Sequence, residues 1–358
     1  CKGHQRISVI SVACGRTHSM ALTDCGLYLW GSSKHGQLGL GTSVMMAKKP
    51  TLVAALAQEV IVGISAGNYH SAAWDENGRA WTWGWGVHGQ LGHDSIEDEF
   101  LPTRLILSDR IISVACGHAH TVVLTIKGQV WTFGCGLFGQ LGIGEIKKKA
   151  TPSLVDLEVK IAQIKTGFFH TLAFDAEGQK LYTWGCNPQV LRTEAHMKRK
   201  GRMQNKIIAE ETGQDIEAAA EEAKKSEAEE EMLHLLPSLL DTSLFSVASV
   251  ACGNQHSMIL TSSGSILAFG RNMDGQLGIG SRKDAKLPTL VSGLKDDLII
   301  EIVCGADFSL AMSEAGSVFV WGGNGGGQHG KPPLEDATTN KDTNTKIVVM
   351  KSTKRIIR

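Results

Sequence analysis

Five histidines recur in one slot of this chain, His18, His70, His120, His170 and His256, and four cysteines recur in another, Cys14, Cys116, Cys252 and Cys304, each just before a glycine. Histidine and cysteine are the donors that zinc prefers, so a metal site is the first chemistry to weigh. The spacing removes it. One histidine falls in each unit of about fifty residues, and Phe308 fills the sixth slot, so no four donors converge on a tetrahedral centre. The imidazoles read as structural groups hydrogen-bonded to neighbouring backbone, as buried polar groups require. The cysteine slot also accepts Ala66 and Thr166. It therefore asks for a small buried side chain, not a bridge or a ligand. Free thiols imply a reducing compartment, cytoplasmic with nuclear as the alternative. A chelator should then leave folding unchanged.

A second temptation is GGNGGGQHGK, whose GxxxxGK spacing ends at Gly330 and Lys331. A phosphate-binding loop needs Ser or Thr next, to reach magnesium, and then a helix. Pro332 and Pro333 follow instead. The GQLG stretches lack the acidic ribose partner of a dinucleotide site. Serines behind the histidine slot, such as Ser19 and Ser257, belong to the repeat, and no nucleophile, base and orienter stand apart from it. No catalytic, cofactor-binding or metal-binding residue is assigned, no cofactor is implied, and the chain reads as a non-enzyme, nucleotide exchange excepted.

What remains is the repeat that must position these residues. Six segments share one phrase (ISVACGRTHSMALT, GISAGNYHSAAWD, ISVACGHAHTVVLT, AQIKTGFFHTLAFD, ASVACGNQHSMILT, EIVCGADFSLAMS), and their glycines Gly15, Gly67, Gly117, Gly167, Gly253 and Gly305 are separated by 52, 50, 50, 86 and 52 residues. Each phrase is followed by a glycine turn and a second strand, from LYLWG to VFVWG; HGQLG, HGQLG, FGQLG and DGQLG come next in four repeats, and a PxLV-like strand in five. The turn glycines Gly26, Gly78, Gly128, Gly178, Gly264 and Gly316 suit a tight hairpin. The glycine after the small residue is expected to let the chain turn sharply at the channel. The second strand puts two large residues on one face in each repeat. Trp30, Trp83, Trp184 and Trp321 are expected in equivalent, buried positions between stacked sheets. Four short strands per unit make an all-β propeller of six blades, in repeats at about 7–60, 61–110, 111–160, 161–246, 247–299 and 300–358 of one domain.

The combination of CGxxHS, WG, GQLG and Pro at this period resembles the regulator of chromosome condensation repeat. WD repeats are shorter and end in a WD dipeptide, which does not recur here, and no kelch-type glycine doublet recurs. The resemblance implies a protein-interaction scaffold with a regulatory role in trafficking, small-GTPase or ubiquitin pathways, set within a larger protein. The alternative it implies is guanine-nucleotide exchange on a small GTPase, as the founding member performs on Ran with a β-wedge hairpin. No such hairpin insertion is legible here. The family usually has seven blades. This chain opens on QRISVISVACG and closes on KRIIR, the same phase of the repeat. The expectation is a piece lacking about one blade, with poorly packed first and last blades.

The long fourth interval holds the one departure. Gly185 to Pro237 spans 52 residues where the other repeats use 18 or 19. Residues 187–236 run from a basic stretch (Lys198, Arg199, Lys200, Arg202) into an acidic one between Glu210 and Glu231. Its Ala, Glu and Lys content favours helix, with little apolar stripe to bury. It reads as a solvated excursion from the ring, the alternative being a partner-docking arm. Over the whole chain 36 basic and 36 acidic residues cancel, which argues against nucleic acid as partner. No apolar run approaches the ~20 residues of a membrane span.

Overall fold

The computed structural model describes residues 7–186, 233–294, 296–330 and 348–350. It consists of six four-stranded antiparallel sheets, each with its strands in chain order. The innermost strands are Val9–Cys14, Ile61–Ala66, Ile111–Cys116, Ile161–Thr166, Val247–Cys252 and Ile299–Cys304. Each pairs with the strand that starts at or just after the histidine slot, and that strand pairs with the WG strand. The all-β propeller with six blades is therefore as the repeat predicts. Among the described residues no helix is long and apolar enough to cross a membrane.

The hairpin turns take the geometry their glycines allow, with φ of 81° at Gly78 and 77° at Gly128. The glycine that closes each inner strand works differently. Gly15, Gly67 and Gly117 do not adopt positive φ. A methyl group on Gly15 would strike the ring of His18 and the carbonyl oxygen of Gly67 in the next blade, and the same holds for Gly67 against His70 and Gly117. The expected sharp turn is thus corrected to close approach: glycine is needed because imidazole and backbone occupy the space of a side chain.

Five apolar cores lie between blades rather than inside them. Met20, Leu22 and Leu29 of the first blade close on Ile64, Ala73 and Trp83 of the second. Equivalent clusters join blades two and three, three and four, four and five, and five and six. Each blade is stabilised by its neighbours, as in other quasi-one-dimensional repeats.

The blade faces without such a neighbour look different. Val12 is 66% exposed, while its counterparts Val114, Val250 and Ile302 are 3%, 1% and 7%. Cys14 is exposed too, a correction to the small-and-buried reading of that slot. On the last blade, Ser309, Ala311 and Ser313 are buried against blade five, but Leu310 and Met312 on the other face are only half-buried. The indoles of Trp83, Trp184 and Trp321 are buried, at 0%, 1% and 0% exposure, whereas Trp30 is half-buried. The expectation of four equivalent tryptophans holds for three, because Trp30 faces away from blade two.

The charged helical insertion is not supported. Residues 187–232 lie outside the described residues, as does any docking arm within them. The helical element described at the end of 187–236 is a single 3-10 turn, Leu233–Leu235.

Candidate functional site

Behind one face of the propeller, four of the five junctions between successive blades are fastened by the same three groups. His18 Nε2 lies 2.9 Å from Ser71 Oγ, and Ser71 donates to the Gln37 carbonyl at 2.8 Å. A hydroxyl whose proton is committed to a carbonyl must accept from the imidazole, so His18 carries its proton on Nε2. The Trp83 indole donates to that same Gln37 carbonyl at 3.1 Å. The pattern repeats with His70, Thr121 and Gln90, with His120, Thr171, Gln140 and Trp184, and with His256, Ser309, Gln276 and Trp321. His170 reaches Ser257 at 2.8 Å across the insertion.

The histidines therefore bond to a hydroxyl of the next blade, not to the backbone expected from sequence. The missed partners were signalled by the residue after the slot, which is Ser or Thr in all six repeats. The glutamines that carry the shared carbonyl are themselves buried. Each folds its side-chain oxygen back onto the N–H two residues earlier, as Gln37 does to His35 and Gln140 to Phe138. Gln328 accepts from Gly326 in the same way. The GxxxxGK stretch is thus a GQLG-type turn, with Gly327 and Gly330 at φ of 76° and 68° beside 78° and 67° for Gly36 and Gly39.

Burial dominates the electrostatics of this fastening. His70, His120 and His256 are pushed down to about 3, and His18 and His170 to about 4, because the charged imidazolium would lose its hydration. Burial drives the Cys116 and Cys252 thiols up to about 12, which leaves them inert as nucleophiles. Among the described residues no cluster of His, Cys, Asp and Glu is placed to hold a metal.

In front of the fastening, the side chains differ from blade to blade. The two residues between the inner-strand glycine and the histidine slot are Arg16-Thr17, Asn68-Tyr69, His118-Ala119, Phe168-Phe169, Asn254-Gln255 and Ala306-Asp307. On the first four blades they join residues of the neighbouring loops in a continuous band of half-buried rings. His35 lies 5.7 Å from Tyr69, Tyr69 lies 5.7 Å from Trp85, and Trp85 lies 6.3 Å from His118. His118 stacks on Phe168 at 4.0 Å, Phe168 meets Phe169 at 4.7 Å, and Phe169 meets Phe138 at 5.2 Å. His88 packs edge-on to Trp85 at 4.9 Å. Burial holds His118 at about 4 and lowers His88, so these rings are neutral near pH 7. On blades five and six the corresponding positions carry no aromatic ring, and Arg271 donates to Gln255 at 2.7 Å.

Comparison with known proteins agrees with this architecture. The RCC1-like domain matches residues 105–358, and the regulator of chromosome condensation (RCC1) repeat matches 26–74 and 77–124. A Caenorhabditis elegans X-linked retinitis pigmentosa GTPase regulator homolog is 31% identical over 89% of this chain. An Arabidopsis thaliana RCC1 domain-containing protein, RUG3, mitochondrial, is 30% identical over 92%. The chain spans 24% of the nematode relative's length and 68% of the plant relative's. Among solved structures, human WBSCR16 superposes with a TM-score of 0.68 at 22% identity, covering 90% of this chain and 78% of that one. Yeast RCC1 (Prp20), crystallised with Kap60, gives 0.67 at 22%, covering 88% and 70%. The repeat phrases, the six latched blades and these matches together show that the chain belongs to the regulator of chromosome condensation (RCC1) repeat family.

Proposed function

We propose that this chain is a regulatory protein-interaction scaffold, a rigid ring that presents a different side chain on each blade to a protein partner. The observation that carries the reading is the contrast between the two layers just described. The histidine, hydroxyl and glutamine layer recurs from blade to blade, while the layer in front of it varies from Arg16 to Phe168 to Asp307. A frame that recurs under a surface that varies suits recognition, in which loops on a rigid scaffold carry specificity. The names of relatives point to the class of partner. The nematode relative is a GTPase regulator homolog, a human ubiquitin ligase relative is 42% identical over 96 residues, and a study of yeast Prp20p describes its binding to Gsp1p and histones.

A small GTPase is therefore the first partner to test, and nucleotide exchange on it is the second reading, favoured by the same nematode name. Purified chain is mixed with a panel of small GTPases loaded with fluorescent GDP. Binding without faster GDP release supports the scaffold reading. Binding with release accelerated by an order of magnitude or more supports exchange. Absence of binding to every member removes the GTPase assignment.

A further inference from the structure

We infer that the ring band running from His35 to Phe138 is the docking surface, and that it takes a protein segment carrying apolar or aromatic side chains flanked by Asp or Glu. This deepens the scaffold reading and rests on it.

Three observations lead there. The band is continuous across four blades, and none of its rings is used in the fastening between blades. Half-buried aromatic rings with loop-tip neighbours such as Val87 and Leu137, 38% and 44% exposed, offer area that a partner can dehydrate. Aromatic side chains dominate the energetics of such surfaces.

Cations stand at both of its edges. Arg16 is exposed, with its guanidinium 6.0 Å from the Tyr69 ring. Lys148 is exposed and close enough to His88 to add to the lowering that burial imposes on that imidazole. Neither enters an ion pair among the described residues, whereas Lys147 and Lys149 share Glu145. Asp98, the acid beside the band, is already engaged by His35 Nδ1 at 2.9 Å and by the Gly86 N–H at 2.9 Å. Among the described residues, cations outside any ion pair at both ends, and an acid within whose oxygens are already hydrogen-bonded, favour a partner that supplies carboxylates.

Single-stranded nucleic acid also stacks on aromatic rings, but it needs a cationic groove that tracks its phosphates. Arg16 at one edge and Lys147, Lys148 and Lys149 at the other, two of them sharing Glu145, are not a groove that tracks the band, so the protein segment is the occupant favoured.

The test uses the purified 358-residue chain and a phage library of random dodecapeptides. Selected peptides should pair aromatic or aliphatic residues with Asp or Glu. A fluorescent copy should bind at least about tenfold more weakly to Trp85→Ala, as expected at a hot spot. The double variant Arg16→Glu, Lys148→Glu should lose binding to the same peptide and regain it for a copy with Lys in place of Asp and Glu. Arg104→Glu, on an outer strand, serves as the control and should bind normally. Val87→Asp at a loop tip substitutes for Trp85→Ala should that variant unfold on a thermal melt. Peptides selected without acidic residues, or bound equally by all variants, overturn the band while leaving the scaffold reading intact. A library that yields no binder overturns the proposal as well. So does Trp85-dependent self-association in sedimentation velocity, or Trp85-dependent binding of a dT12 oligonucleotide.

Discussion

His170 and Ser257 stand 87 positions apart, yet their Nε2 and Oγ atoms lie 2.8 Å apart, as close as His18 and Ser71, which are separated by 53. In sequence the insertion stands in place of the GQLG loop, and among the described residues the Ser257 hydroxyl turns toward the Cys252 sulfur at 4.0 Å and no carbonyl takes its proton. Phe269, the large residue expected to pack over that loop, is half-buried where Phe133 is fully buried.

The hydroxyl of the latch is the first target. Thr121→Val keeps the shape but leaves the buried His70 N–H and the Gln90 carbonyl without their shared partner. The expected loss is about 1–3 kcal/mol of unfolding free energy, measured by urea titration. Thr121→Ser should recover most of it.

Acid should loosen the blade-to-blade latches. The five latch imidazoles titrate at about 3 to 4 when folded and near 6.5 when unfolded. Between those limits the unfolded chain binds more protons, so stability rises with pH there and falls progressively as pH drops below about 6.5. Above that value these groups contribute no pH dependence. His256→Phe copies the natural Phe308, which already packs against its own glycine. Its denaturation midpoint should vary less steeply with pH than that of the parent between pH 6.5 and 4. An identical slope would remove the histidines as the cause.

The tryptophans should separate by position. Trp83→Ala deletes a fully buried indole and its bond to Gln37, and is expected to cost about 3–5 kcal/mol. Trp30 is half-buried, and Trp30→Ala should cost less, about 1–2 kcal/mol. Equal losses in parallel denaturation curves would mean that the first blade is covered in solution.

Gly117→Ala tests close approach. The added methyl meets the His120 ring and the Gly167 carbonyl, at a place where φ is unremarkable. A destabilisation of about 1–3 kcal/mol is expected, as for other overpacked sites, and His120→Ala in the same chain should relieve part of it. Lack of relief would place the strain elsewhere.

The blade count, the hairpins and the inter-blade tryptophans were legible because each is a periodic property, and six copies of one phrase average out local ambiguity. The partner of the histidine was not. The H-S and H-T doublets stand in plain view, but the Ser or Thr beside a given histidine serves the preceding blade's histidine, and only the packing of blades reveals the offset. The ring band was illegible for a different reason. Tyr69, Trp85, His118 and Phe138 occupy four non-equivalent slots, each filled differently in other repeats, so no periodic signal marks them. The exposure of Val12 and Trp30 also escaped, since burial between blades depends on a neighbour and not on the residue's own repeat.

The latch has a direction. The first five blades each offer an imidazole forward, the sixth has Phe308 in that place, and every blade carries the Ser or Thr hydroxyl that faces backward. A unit with both halves, copied and spliced between any two others, would arrive with its own plug and socket and engage both sides without further change. Growth of such a ring by tandem duplication is therefore nearly neutral at the level of blade-to-blade bonding, and the number of blades is left to be settled by wedge angle. The frame can lengthen or shuffle among the units that carry both halves while its bonding stays the same.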